Sequence, residues 1–193
     1  MQGNAPLTAT ALGILLLALP LLAQAQVTRH DSTGNLQPSR QLPCTALKGI
    51  TPADSPADQM AALPRCLQAG RDRDAADLFT MAGVFAHFDK QRVADASAHD
   101  AYSALKAGVA DSVDEVQLAR FNAALAERMA DPQAYVAELC GVTRTMAPPS
   151  YTPTYMMSHG MAAFTGKGGG LVAGFDPVAA WKNTRKTYLK CAD

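Results

Sequence analysis

Apolar residues recur at three- and four-residue spacing through most of this chain, which is the period of helices and not of strands. The most apolar helix expected beyond residue 25 carries Leu78, Phe79, Ala82, Phe85, Ala86 and Phe88, and is placed centrally, from about Asp72 to Lys90. Ahead of it, Met60, Leu63 and Leu67 share one face of a helix over 57–68. The turn-forming run Thr51-Pro52-Ala53-Asp54-Ser55-Pro56 starts that helix and Gly70 ends it, with Pro64 expected to kink or split it. Asp95 then caps a helix bearing Ala98, Tyr102, Leu105 and Val109. Ser112-Val113-Asp114-Glu115 reads as a capping box, and the helix it opens carries the stripe Leu118, Phe121, Leu125 and Met129. Asp131-Pro132 places proline at the first helical position, where its missing N–H costs nothing. That helix turns Tyr135, Val136 and Leu139 inward, with Gly141 as its C-cap. The period stops after Thr145. Prolines and glycines frame one apolar stretch, Tyr155 to Phe164, so 146–174 is expected to be a long loop. Asp176-Pro177 opens a last helix carrying Val178, Trp181, Arg185, Tyr188 and Leu189.

Composition supports the helical assignment. The chain has 37 Ala against 10 Val and 2 Ile. Strands draw on β-branched residues and helices on alanine. The expected fold class is therefore all-α: a disulfide-stapled bundle of about six helices with a long C-terminal Pro/Gly-rich loop. Lys and Arg number 17 against 17 Asp and Glu, a net charge of zero. Such a chain lacks the basic field that sequence-independent nucleic-acid binding requires, so no nucleic-acid partner is expected. The charge is uneven, however. Residues 26–145 hold 12 basic and 15 acidic side chains, whereas 146–193 hold 5 and 2.

Leu12 to Leu22 is an apolar run of 11 residues, followed by Ala23-Gln24-Ala25. The run is shorter than the roughly 20 residues a membrane-spanning helix needs. With the small-residue triplet after it, 1–25 reads as a secretory signal peptide cut before Gln26, which implies a periplasmic location and no stable membrane span afterwards. Residues 26–50 are expected to form an extended lead-in that becomes ordered near Cys44, and 51–193 a single helical domain.

The exported part contains Cys44, Cys66, Cys140 and Cys191. An even count in an oxidising compartment points to two disulfides. Three pairings are available, and chain order favours Cys44–Cys66 with Cys140–Cys191. The spacings offer no close ligand pair for zinc and no C-x-x-C for thioredoxin-type redox chemistry.

No catalytic motif is legible. Gly166-Lys167-Gly168-Gly169-Gly170 has the composition of a phosphate loop, but Gly160 stands too far from Gly166 and no Ser or Thr follows Lys167. It reads as a flexible loop. Met156, Met157, His159 and Met161 are soft donors of the kind that suits Cu(I), although methionine also fills cores. His87, Asp89, Asp95, His99 and Asp100 gather around one helix junction and could serve a metal-dependent hydrolase. No spacing pairs the two histidines on one helical turn. Neither a cofactor nor a metal is assigned from the sequence.

The stretch Gly70 to Val84, GRDRDAADLFTMAGV, resembles a helix of the Sel1/tetratricopeptide-like class, with small residues set among large ones. It occurs once, so it implies no repeat array. The wider pattern is an apolar leader, Ala-rich helices, dispersed cysteines, Pro148-Pro149-Ser150-Tyr151 and the His159-Gly160-Met161 segment. It resembles small exported proteins of Gram-negative bacteria, of the periplasmic immunity-protein type. That resemblance implies a non-enzymatic binding protein whose partner is a cell-envelope toxin. The contacts are expected on the irregular segment, with Tyr151, Tyr155, Met156 and His159 as partner-binding residues.

Overall fold

The longest described helix is also the axis of the fold: Asp72–Arg92 (α2 in chain order) lies at the centre, and helices before and after it pack on its sides. The computed structural model describes residues 32–192; the expected signal peptide over 1–25 lies outside them. Acidic Asp72 and Asp74 stand at the positive end of the α2 dipole, and Lys90 and Arg92 at its negative end. Leu78, Met81, Phe85 and Phe88 are fully buried along it.

Helix α1, Pro56–Gln68, precedes it and packs along it. Ser55 and Asp58 form a reciprocal capping box at its start, with Pro56 at the first helical position. Pro64 neither splits nor ends the helix. Its ring leaves the Met60 carbonyl without a helical partner, a cost of roughly 3 kcal/mol in an exposed helix, here offset by the burial of Met60, Leu63 and Leu67. The helix closes as a Schellman motif. The Arg71 N–H donates to the Cys66 carbonyl at 2.8 Å and the Gly70 N–H to Leu67 at 3.1 Å, with Gly70 at φ 69°.

After α2 the chain makes a 3-10 turn, Ala96–Asp100, and then α3, Ala101–Asp111. The expected box at Ser112 and Glu115 is displaced. Ser112 instead bonds back to the Val109 carbonyl at the end of α3. Asp114 and Gln117 form the box that opens α4, Glu115–Arg128. Of the α4 stripe only Phe121 is fully inside, and Met129 lies outside the helix and is exposed. Helix α5, Pro132–Thr145, begins as expected at Asp131 but runs straight through Gly141, which is exposed in mid-helix. Two short helices follow, α6 Thr154–Met157 and α7 Met161–Thr165, and then α8, Pro177–Thr187, capped by Asp176. Trp181 of α8 meets Phe85 and Phe88 edge-on, at 5.7 and 6.0 Å between ring centroids.

The fold is therefore all-α, eight helices with no β-strand among the described residues. None of these helices is long and apolar enough to cross a membrane. Cys44 pairs with Cys66 and Cys140 with Cys191, so one link ties the lead-in to α1 and the other ties the tail beyond α8 to α5. The lead-in is held earlier than Cys44. The carboxylate of Asp58 accepts the amides of Ser39 and Arg40, and Leu36 donates to the Tyr155 carbonyl.

Candidate functional site

The segment after α5 divides into an inward half and an outward half, and the division falls at Gly160. In the inward half, Tyr155 and Met156 are buried in the core, and Tyr151 is half-buried. These residues, expected as partner contacts, are packing and anchoring groups. Both hydroxyls, of Tyr151 and of Tyr155, donate to Oδ2 of Asp89 at 2.8 Å. Asp89 is wholly buried, and its Oδ1 accepts Nε of Arg92 at 2.8 Å. The Arg92 guanidinium lies 4.7 Å from the Tyr151 ring centroid and 5.0 Å from that of Phe88. His159, the fourth expected contact, is half-buried, with Nδ1 2.9 Å from Oδ1 of Asn35 in the lead-in.

A carboxylate enclosed in this way is penalised for its charge. Burial pushes the Asp89 carboxyl up to about 6, although Arg92 and the two tyrosines pull the other way. Burial likewise holds both tyrosine hydroxyls well above their ordinary range, so they remain donors at any physiological pH. Because the folded value exceeds the unfolded one, the native state binds a proton that the unfolded chain does not between pH 4 and pH 6 or so. The stabilising share of Asp89 is full at low pH and is lost as pH rises through about 6. A carbon-detected NMR titration is expected to place the Asp89 midpoint near 6. A midpoint at 4 or below would show a carboxylate solvated or held far more tightly than this geometry provides.

The outward half is pinned at both ends to one short stretch. At its start, Gly160 lacks a side chain to cap α7, and a Cβ there would come within 2.3 Å of Asp95 Oδ2. The cap comes from elsewhere. The amide of Ala162 donates to Asp95 Oδ2 at 2.8 Å and that of Met161 to the Ser97 hydroxyl at 2.8 Å. Ser97 in turn donates to Asp95 Oδ1 at 2.6 Å. Hydrogen bonds from Ser97 and from the Ala162 amide hold the Asp95 carboxyl below its ordinary range. At its far end, Ala94 donates to the Gly170 carbonyl at 3.0 Å, and Val172 donates to the Arg92 carbonyl at 2.8 Å. This makes an isolated antiparallel bridge between Val93 and Leu171. Residues 161–172 therefore leave and rejoin the body beside residues 92–97, in the manner of an Ω-loop.

That loop carries four large apolar side chains in water. Met161 is 59% exposed, Phe164 52%, Leu171 51% and Val172 42%. Apolar side chains gathered on one projecting segment mark interaction sites more often than scattered ones do. All four lie within 146–174, the segment expected to be irregular, and none is among the residues named there as expected contacts. The signal lay in the glycines after Phe164: they allow the positive φ at Gly166, Gly168 and Gly170 that turns the loop back.

The metal readings find no geometry. His87 stacks on Tyr188 with 4.9 Å between ring centroids, and burial followed by the nearby Lys90 charge lowers its pKa. His99 lies within hydrogen-bond distance, 3.0 Å, of the Val93 carbonyl. Met156 is buried while Met161 faces solvent. No three His, Cys, Asp or Glu side chains gather to hold a metal ion among the described residues. Compared with protein-family models, with curated proteins and with solved structures, the chain matches none.

Proposed function

We propose that this chain is an exported, non-enzymatic binding protein of the periplasmic immunity type, which docks on a cell-envelope toxin through residues 161–172. The observation that carries the reading is the loop itself, which presents Met161, Phe164, Leu171 and Val172 to solvent while hydrogen bonds at both ends fix its course. Pre-fixing a recognition segment lowers the ordering cost that binding otherwise incurs. Large apolar side chains at the centre of such a surface supply most of the affinity when a partner removes them from water. The two disulfides fit an oxidising compartment.

The test is co-expression of the chain with the secreted product of a neighbouring gene, followed by purification of the pair. The wild-type chain is expected to hold its partner. Replacing both Phe164 and Leu171 by aspartate is expected to weaken binding by about a hundredfold or more. The melting temperature should hardly move, since both side chains already sit half in water. Binding that survives the double substitution would remove the loop from the interface. Failure of the chain to hold any neighbouring product would remove the immunity reading.

A further inference from the structure

We infer that a cationic groove between α5 and α8 binds a phosphate-class oxyanion. Two adjoining hollows of about 450 and 460 Å³ share Arg144, Arg185 and Ala192 on their walls. Lys190 lines the first; Trp181 and Lys182 line the second. No Asp or Glu lines either hollow among the described residues. These cations, with Arg144 and Lys190 exposed and Arg185 half-buried, differ from the two buried arginines among the described residues. Arg92 and Arg128 each face a carboxylate, at 2.7 and 2.8 Å. Arg144, Arg185 and Lys190 take part in no ion pair among the described residues.

Arg144 and Lys190, exposed on the groove and in no ion pair among the described residues, can donate to an anion seated there. Two guanidiniums and an ammonium supply charge and donors from α5, from α8 and from the tail. A phosphate group, with several oxygens and up to two charges, matches that set better than a single carboxylate does. The disulfide Cys140–Cys191 holds α5 and the tail together at the floor of the first hollow, so the donors stay gathered without the ligand. The mildly cationic tail evident in the sequence thus acquires a use. This site shares no residue with the 161–172 loop, and it stands or falls separately.

Trp181 is the only tryptophan of the chain and lines the second hollow from the edge of the core, so its emission offers a single probe beside the groove. The full chain is titrated with inorganic phosphate and pyrophosphate at constant ionic strength in chloride. In parallel it is mixed with phosphatidylcholine vesicles with and without phosphatidylglycerol. A saturable change in emission with the free anions indicates a soluble phosphate compound; vesicle binding that needs phosphatidylglycerol indicates a lipid headgroup. In either arm, Arg185→Gln is expected to weaken the response about tenfold, and Arg144→Gln with Arg185→Gln to abolish it. Lys190→Gln, on the exposed tail, serves as a third variant should a guanidinium substitution lower the melting temperature. The proposal is overturned if neither probe saturates below roughly millimolar concentration. A response that persists in the double variant overturns it equally.

Discussion

Replacing Asp89 by alanine is expected to cost about 3–5 kcal/mol of stability at neutral pH, enough to unfold much of the population of a marginal domain. The magnitude follows from what is left behind. Arg92, whose side chain is 8% exposed, would keep its charge without a counter-ion. The hydroxyls of Tyr151 and Tyr155 would lose the acceptor they share. Each of these groups is stranded away from water, where unpaired polar groups are most costly. Tyr155→Phe should cost only about 1.5–3 kcal/mol, because Asp89 then keeps Tyr151 and Arg92. Urea unfolding of the two variants checks both numbers. A loss below about 1 kcal/mol for Asp89→Ala would mean that the network contributes little to holding the inward segment.

The second large effect is expected from Cys140→Ser with Cys191→Ser. The Cys140–Cys191 link closes 51 residues of chain, which restricts the unfolded state by about 4 kcal/mol in the loop-entropy account. Its loss also frees the tail carrying Leu189 and Cys191, which are buried in the native protein. The Cys44–Cys66 link closes only 22 residues, and its removal should cost about 3 kcal/mol. Urea midpoints of the two double variants are expected to fall in that order. Equal midpoints for the Cys140–Cys191 variant and the wild type would show that the native fold does not depend on that link.

Where the chain uses local chemistry, the sequence was readable. Asp131-Pro132 and Asp176-Pro177 cap their helices where expected, and the apolar period of α2 runs through the core. The cysteine pairs follow chain order, first with second and third with fourth, although the second link joins α5 to the tail across 51 residues. The capping residues before α4 were misassigned because serine and aspartate compete for one role within three positions, and Ser112 is occupied by the end of α3. Tyr155 and Met156 are expected as partner contacts because tyrosine in a Pro-rich segment suits a surface. Their burial needs a buried acceptor, and that acceptor is 66 residues away at Asp89. A clue was present nevertheless. Asp89 follows Phe85 by four positions on the apolar face of the central helix, and a carboxylate there demands donors from another element. For 161–172 the glycines after Phe164 signal a turn back but not where it is anchored, since its anchors are mostly backbone amides and carbonyls, which every residue carries.

On the proposed function, the stapled helical body holds residues 161–172 outward for a protein partner. Amide hydrogen exchange on the chain alone and on the purified pair tests it most directly. In the free protein, amides of 163–169 should exchange fast and those around Phe85 to Asp89 only through global opening. On partner binding, exchange over 163–169 should slow by about tenfold or more, with α2 unchanged. A partner that protects other residues and leaves 163–169 exchanging as before would contradict the account.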